Sequence, residues 1–190
     1  MSINKLFDVI ESNNYIEDKA WFYDNLKTIQ QIYAFYGVDY SLNNILNVIK
    51  NIKIVKGNEN ELTNYNYKTN TLSLVNLNEN NEYYLLKSFL QITSQEGLVW
   101  KNEEGKEEWN YLNEIIIDRL ILYTTGISKE EKEEEDLYYI SEKDEKRAKE
   151  DELLQMIIKY IPLEELISSF ANQNGRELYS QYFNEKNMNM

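Results

Sequence analysis

The chain has 190 residues, with 33 Asp and Glu against 20 Lys and Arg, for a formal net charge of −13. It contains no cysteine and no histidine, which excludes disulfides, thiol nucleophiles, iron–sulfur clusters, imidazole bases and every Cys/His zinc site. Hydrophobic residues make up 42% and aromatics 13%, enough for a domain with a real core and too much for a disordered chain.

Ile3–Glu11 has the apolar spacing of a short helix. Ile16–Tyr36 has that of a longer one, with Trp21, Leu26, Ile29, Ile32 and Phe35 along one stripe up to Gly37. Ser41 stands where an N-cap is needed for a third helix reaching about Asn51, with Leu42, Ile45, Leu46 and Ile49 on one face. The period then drops to about two. Ile52–Lys56 alternate as a strand, and Tyr65, Tyr67, Leu72, Leu74 and Leu77 continue the alternation around the turn-like Lys68-Thr69-Asn70. These segments predict a small antiparallel sheet.

Helical spacing returns at Glu82–Gln95, through Leu85, Leu86, Phe89, Leu90 and Ile92. A polar stretch, Lys101–Glu108, separates it from a strongly apolar helix over Trp109–Tyr123 that Gly126 ends. Lys129–Glu152 is dominated by charge and reads as a solvated helical face or mobile loop, although Leu137, Tyr138, Tyr139 and Ile140 give it something to bury. Leu153–Ile161 is a further helix. Pro162, the single proline, restarts the chain into Leu163–Phe170 and Arg176–Phe183, and the tail Asn184–Met190 is expected to fray. Trp21-Phe22-Tyr23 and Tyr83-Tyr84 read as core and rim packing. The fold class is α+β, mostly helical with a small antiparallel sheet. An N-terminal helical region, residues 1–40, stands on a core over 41–190, together one compact domain.

Three features follow one another in order. A hairpin runs Tyr67-Lys68-Thr69-Asn70-Thr71-Leu72-Ser73-Leu74. A helix then bears Leu86-Lys87-Ser88-Phe89-Leu90-Gln91, and a second bears Asn113-Glu114-Ile115-Ile116-Ile117-Asp118. Over roughly Leu42–Phe183 this order resembles the core of the zincin metallopeptidases, in particular the gluzincin branch. In that family a sheet edge precedes a helix carrying H-E-x-x-H, and a second helix carries N-E-x-x-x-D. Two His at i and i+4 share one helix face and hold zinc, and the Glu between them activates the bound water.

Asn113, Glu114 and Asp118 match the second motif, whereas Lys87, Ser88 and Gln91 stand where the first has His, Glu and His. The resemblance therefore implies a metal site that has been lost and refilled. Lys87 would place an ammonium where the metal charge sat and pair with Glu114 or Asp118, and Gln91 would hydrogen-bond a remaining carboxylate oxygen. No cofactor and no metal are expected, and no catalytic residue is assigned. A Ser88–Lys87 dyad is disfavoured because neighbours in sequence do not face each other on a helix. Glu114 and Asp118, one turn apart, have the spacing of a carboxylate pair for Mg²⁺ or acid–base work, but Lys87 beside them argues against it.

The expected function is that of a non-catalytic, zincin-like pseudoenzyme acting by protein binding, its old substrate cleft taking an extended peptide by strand addition. The alternative is an acidic inhibitor of phage or mobile-element type that occupies the basic nucleic-acid site of a host enzyme. A charge of −13 predicts repulsion from nucleic acid and anionic lipid, so the partner is expected to be a protein, with no direct nucleic-acid contact. No apolar run reaches the ~18 residues of a membrane span, and Met1–Phe7 lacks the apolar region of a secretion signal. The expected location is cytoplasmic.

Overall fold

Helix α1 (Lys19–Phe35) starts at Asp18, whose carboxylate accepts the Trp21 N–H at 2.9 Å. Phe22, Leu26, Ile29 and Tyr33 recur at helical spacing and are fully buried, and the chain leaves the helix through Gly37 at φ +74°. The computed structural model describes residues 8, 10–58, 61–75, 82–95, 97–127 and 137–183. Most of the expected Ile3–Glu11 helix, Leu77, the stretch 129–136 and the tail 184–190 lie outside the described residues. Helix α2 (Leu42–Ile49) is capped as expected, the Asn44 N–H donating to Ser41 Oγ at 3.3 Å, and Ile45 and Ile49 are buried.

Strands β1 (Lys53–Lys56), β2 (Asn64–Asn66) and β3 (Thr71–Leu74) form one sheet in the order β1-β3-β2. The turn at 67–70 folds β2 back antiparallel on β3, but β1 pairs with β3 in parallel, Ile54 opposite Leu72. The sheet is therefore mixed, not purely antiparallel. A period of two records which side chains are buried and carries no information on strand direction; placing β3 between β1 and its own hairpin partner decides that.

Helix α3 (Glu82–Ser94) is the centre of the molecule, with Leu85, Leu86, Phe89, Leu90 and Ile92 fully buried. Phe89 meets Phe22 of α1 edge to face, centroids 4.9 Å apart. The Tyr33 hydroxyl shares a hydrogen bond with Thr93 Oγ1 at 3.0 Å, and the Tyr40 hydroxyl donates to the Thr93 carbonyl at 3.1 Å. The polar stretch Lys101–Glu108 lies in a second hairpin, β4 (Trp100–Lys101) and β5 (Glu107–Glu108). Its turn is organised by Asn102, whose Oδ1 accepts the N–H groups of Glu104 and Lys106 at 3.0 Å each.

Helix α4 (Asn110–Thr125) packs Leu112, Ile116, Ile117 and Ile121 into the core. Helix α5 (Leu137–Ile158) runs without a break from the charged segment into the expected Leu153 helix, so 137–152 is helical. Arg119 of α4 ties α5 down, with Nε 2.8 Å from Asp151 and a guanidinium nitrogen 3.6 Å from Glu150. Helices α6 (Leu163–Asn172), which starts directly after Pro162, and α7 (Gly175–Phe183) close the core through Leu166, Ile167, Phe170 and Leu178. The α1 residues and the residues of 41–183 belong to one continuous buried cluster. Among the described residues, no helix is long and apolar enough to cross a membrane.

Candidate functional site

The edge of the sheet next to α3 is β2, and its backbone direction follows from the ladder. The Lys53 N–H donates to the Asn70 carbonyl (2.9 Å) and the Gly57 N–H to the Leu74 carbonyl (2.6 Å). Along β3 it is therefore the even-numbered residues that bond β1. The odd ones, Thr71 and Ser73, turn to the other side, where they face Asn66 and Asn64. Tyr65 lies between those two, so its own N–H and C=O point away from β3, to an edge that no strand covers among the described residues.

That edge borders a groove. Thr63, Asn64 and Tyr65 stand on one side, and Tyr84, Lys87, Ser88 and Gln91 of α3 on the other. Past Gln91 the groove continues into a pocket of about 90 Å³, open to solvent. Tyr65 and Tyr67 line it from the first hairpin, Gln91 from α3 and Gln95 from just past its end, Lys101 and Glu107 from the second hairpin, and Asn110, Asn113 and Glu114 from α4. The Tyr67 hydroxyl donates to Glu107 Oε1 at 3.4 Å, linking the two hairpins beside the pocket.

The structure brings most of the sequence-derived residues together. Lys87 Nζ donates to Glu114 Oε2, and the Tyr83 hydroxyl donates to Asp118. The two contacts are one helical turn apart on each helix and run in opposite order, so α3 and α4 are antiparallel here. Lys87 thus takes Glu114, and Asp118 is claimed by a tyrosine that the sequence reading had assigned only to packing. Burial, with the Asp118 carboxylate beside it, pushes the Tyr83 phenol well above the usual tyrosine range.

One expectation changes. Gln91 lines both parts of the groove but bonds neither carboxylate among the described residues; its amide remains available to a ligand. Ser88 is buried and donates to the Tyr84 carbonyl at 2.8 Å, its own helix taking up the hydroxyl. Asn113 is 6% exposed, and its Oδ1 accepts the Leu98 N–H at 2.9 Å. Gly97 makes room for that amide: it sits at φ +57°, and a Cβ there would collide with Asn113 Oδ1 and the Phe170 ring.

The residues present do not fit a zinc ion. An ammonium, not an imidazole, faces Glu114, the Gln91 amide is a poor metal donor, and Asp118 is engaged by Tyr83. Among the described residues, no three carboxylates converge in a set that would hold a metal ion. Sequence reasoning did not single out Tyr65, Tyr67, Gln95, Lys101, Glu107 or Asn110 as site residues. They reach the pocket from four elements, and no motif links them. No family model, curated protein or solved structure matches the chain.

Proposed function

We propose that this chain is a non-catalytic protein, built on a zincin-like scaffold, that works by capturing an extended peptide segment of a partner protein. The observation that carries the reading is the groove between the Tyr65 backbone, unpaired among the described residues, and the α3 face bearing Lys87 and Gln91. An outward N–H and C=O pair on an edge strand is a template for one more strand, and the groove leaves space for its side chains. The Lys87–Glu114 pair supports the same reading. It compensates the carboxylate that a zinc site would have used and leaves the groove open above it. Binding by main-chain hydrogen bonds is sequence-tolerant, so side-chain pockets set the choice of partner.

The test is selection from a displayed library of random peptides on the immobilised full chain, with washes at about 0.1 M and about 1 M salt. The expected result is a set of binders that survive high salt and lose affinity when N-methylated at the residue facing Tyr65. Tyr65→Pro deletes the outward N–H while the bonds of Asn64 and Asn66 to β3 remain, and is expected to abolish capture without unfolding the protein. Binders indifferent to both changes, or released by salt, would overturn strand addition. Release by salt would favour a partner held by the acidic surface.

A further inference from the structure

We infer that the pocket beside Tyr65 reads a carboxamide side chain, glutamine or asparagine, on the captured peptide; this rests on the peptide-groove reading above. Asn113 is 94% buried and lines the pocket. Its amide orientation is set by chemistry, because only Oδ1 can accept the Leu98 N–H. What remains is Nδ2, a donor, and among the described residues it reaches no protein acceptor. The donor opens onto the pocket, where an acceptor on the ligand would take the place of water.

The same pocket also holds two carboxylates, Glu107 and Glu114, and one cation, Lys101. Each carboxylate takes one donor, Glu107 from Tyr67 and Glu114 from Lys87, and among the described residues its other oxygen is open to a further one. The ligand group must therefore present an acceptor and a donor together and carry no net charge. A glutamate side chain brings the acceptor but sets a third carboxylate against two. An arginine or lysine brings donors, offers Asn113 Nδ2 nothing, and meets Lys101. A leucine offers neither an acceptor nor a donor. A carboxamide satisfies both, its oxygen accepting from Asn113 Nδ2 and its NH₂ donating to a carboxylate. The rings of Tyr65 and Tyr67 supply the flat apolar wall for its plane and stem, and the flexible amides of Gln91 and Gln95 border it.

The experiment uses four soluble probes, acetyl-Thr-Val-Thr-Xaa-Thr-Val-Thr-N-methylamide with Xaa as Gln, Glu, Arg or Leu, titrated into the ¹⁵N-labelled full chain. The Gln probe is expected to bind about tenfold tighter than the other three, the scale of one hydrogen-bonded pair in a solvent-open site. It should also shift the Asn113 side-chain amide resonances. Asn113→Asp keeps an acceptor for the Leu98 N–H but replaces the donor by a third acceptor, and is expected to move the preference from the Gln probe to the Arg probe. Equal affinities for all four probes, or a tightest Glu or Arg probe with the native chain, would overturn the carboxamide reading and leave peptide capture standing. Failure of every probe to bind would overturn both. The ranking on the native chain decides the matter even if Asn113→Asp does not fold.

Discussion

Lys87 and Glu114 sit opposite each other on antiparallel helices, joined by a charge-assisted hydrogen bond at the edge of the groove. Their side chains are 25% and 40% exposed, so water screens the pair and its worth is that of a half-exposed ion pair. The expected coupling in a cycle of Lys87→Met, Glu114→Gln and the double variant is about 1 kcal/mol. Urea unfolding measures it. A coupling near zero would mean that the two charges are merely neighbours.

The zincin resemblance makes a sharper prediction about the same positions. Lys87→His together with Gln91→His places two imidazoles one helical turn apart, opposite Glu114. That variant is expected to gain zinc-dependent stability, about 2.7 kcal/mol at a zinc concentration a hundred times its Kd. Calorimetry with and without zinc at neutral pH reads the shift in Tm, and the native chain should show none. A double-histidine variant indifferent to zinc would argue against the resemblance.

Three buried tyrosines predict alkaline sensitivity. Burial raises Tyr33 above the ordinary range, pushes Tyr40 up to about 12, and, with Asp118, raises Tyr83 further. Each phenol keeps its proton in the folded protein at pH values where the unfolded chain, with tyrosines near pH 10, has lost it. The folded state then binds more protons, so stability is unaffected below about pH 10 and falls as pH rises above it. Urea midpoints across pH 8 to 12 are expected to decline only in the upper half of that range. Tyr83→Phe should flatten the decline.

Arg119 holds α5 through Asp151 and Glu150, and the Arg119 and Glu150 side chains are only 8% and 12% exposed. Arg119→Met removes the cation and leaves Glu150 nearly buried without it, an expected loss of about 3 kcal/mol. Hydrogen exchange is expected to accelerate first over 145–158, because this contact joins α5 to the rest. Uniform acceleration across all helices would show that α5 does not open separately.

The helices that bury a stripe at helical spacing were legible in the sequence, Phe22 to Tyr33 in α1, Leu85 to Ile92 in α3 and Leu112 to Ile121 in α4, whereas the charged stretch 137–152 of α5 carries no such stripe. Ser41 announced its helix by a local hydrogen bond. The second hairpin was not legible, since its strands are two residues long and carry mostly charge, too short for any alternation.

The sequence by itself determined the mostly helical α+β class, the chemistry that the absence of histidine and cysteine removes, and the positions of Lys87, Ser88, Gln91, Asn113, Glu114 and Asp118 on two helices. Local periodicity and composition suffice for those statements. Only the tertiary structure decided that Lys87 chooses Glu114, that Tyr83 claims Asp118, and that the Tyr65 backbone faces a groove. It also brought Lys101 and Glu107 to the same pocket as Asn113. The side-chain pairings depend on contacts between residues from 27 to 40 positions apart, and the Tyr65 edge on which strand lies in the middle of a sheet. Side-chain spacing along one element cannot encode a choice among partners on another; packing makes that choice, by leaving each buried polar group with the neighbour that satisfies it.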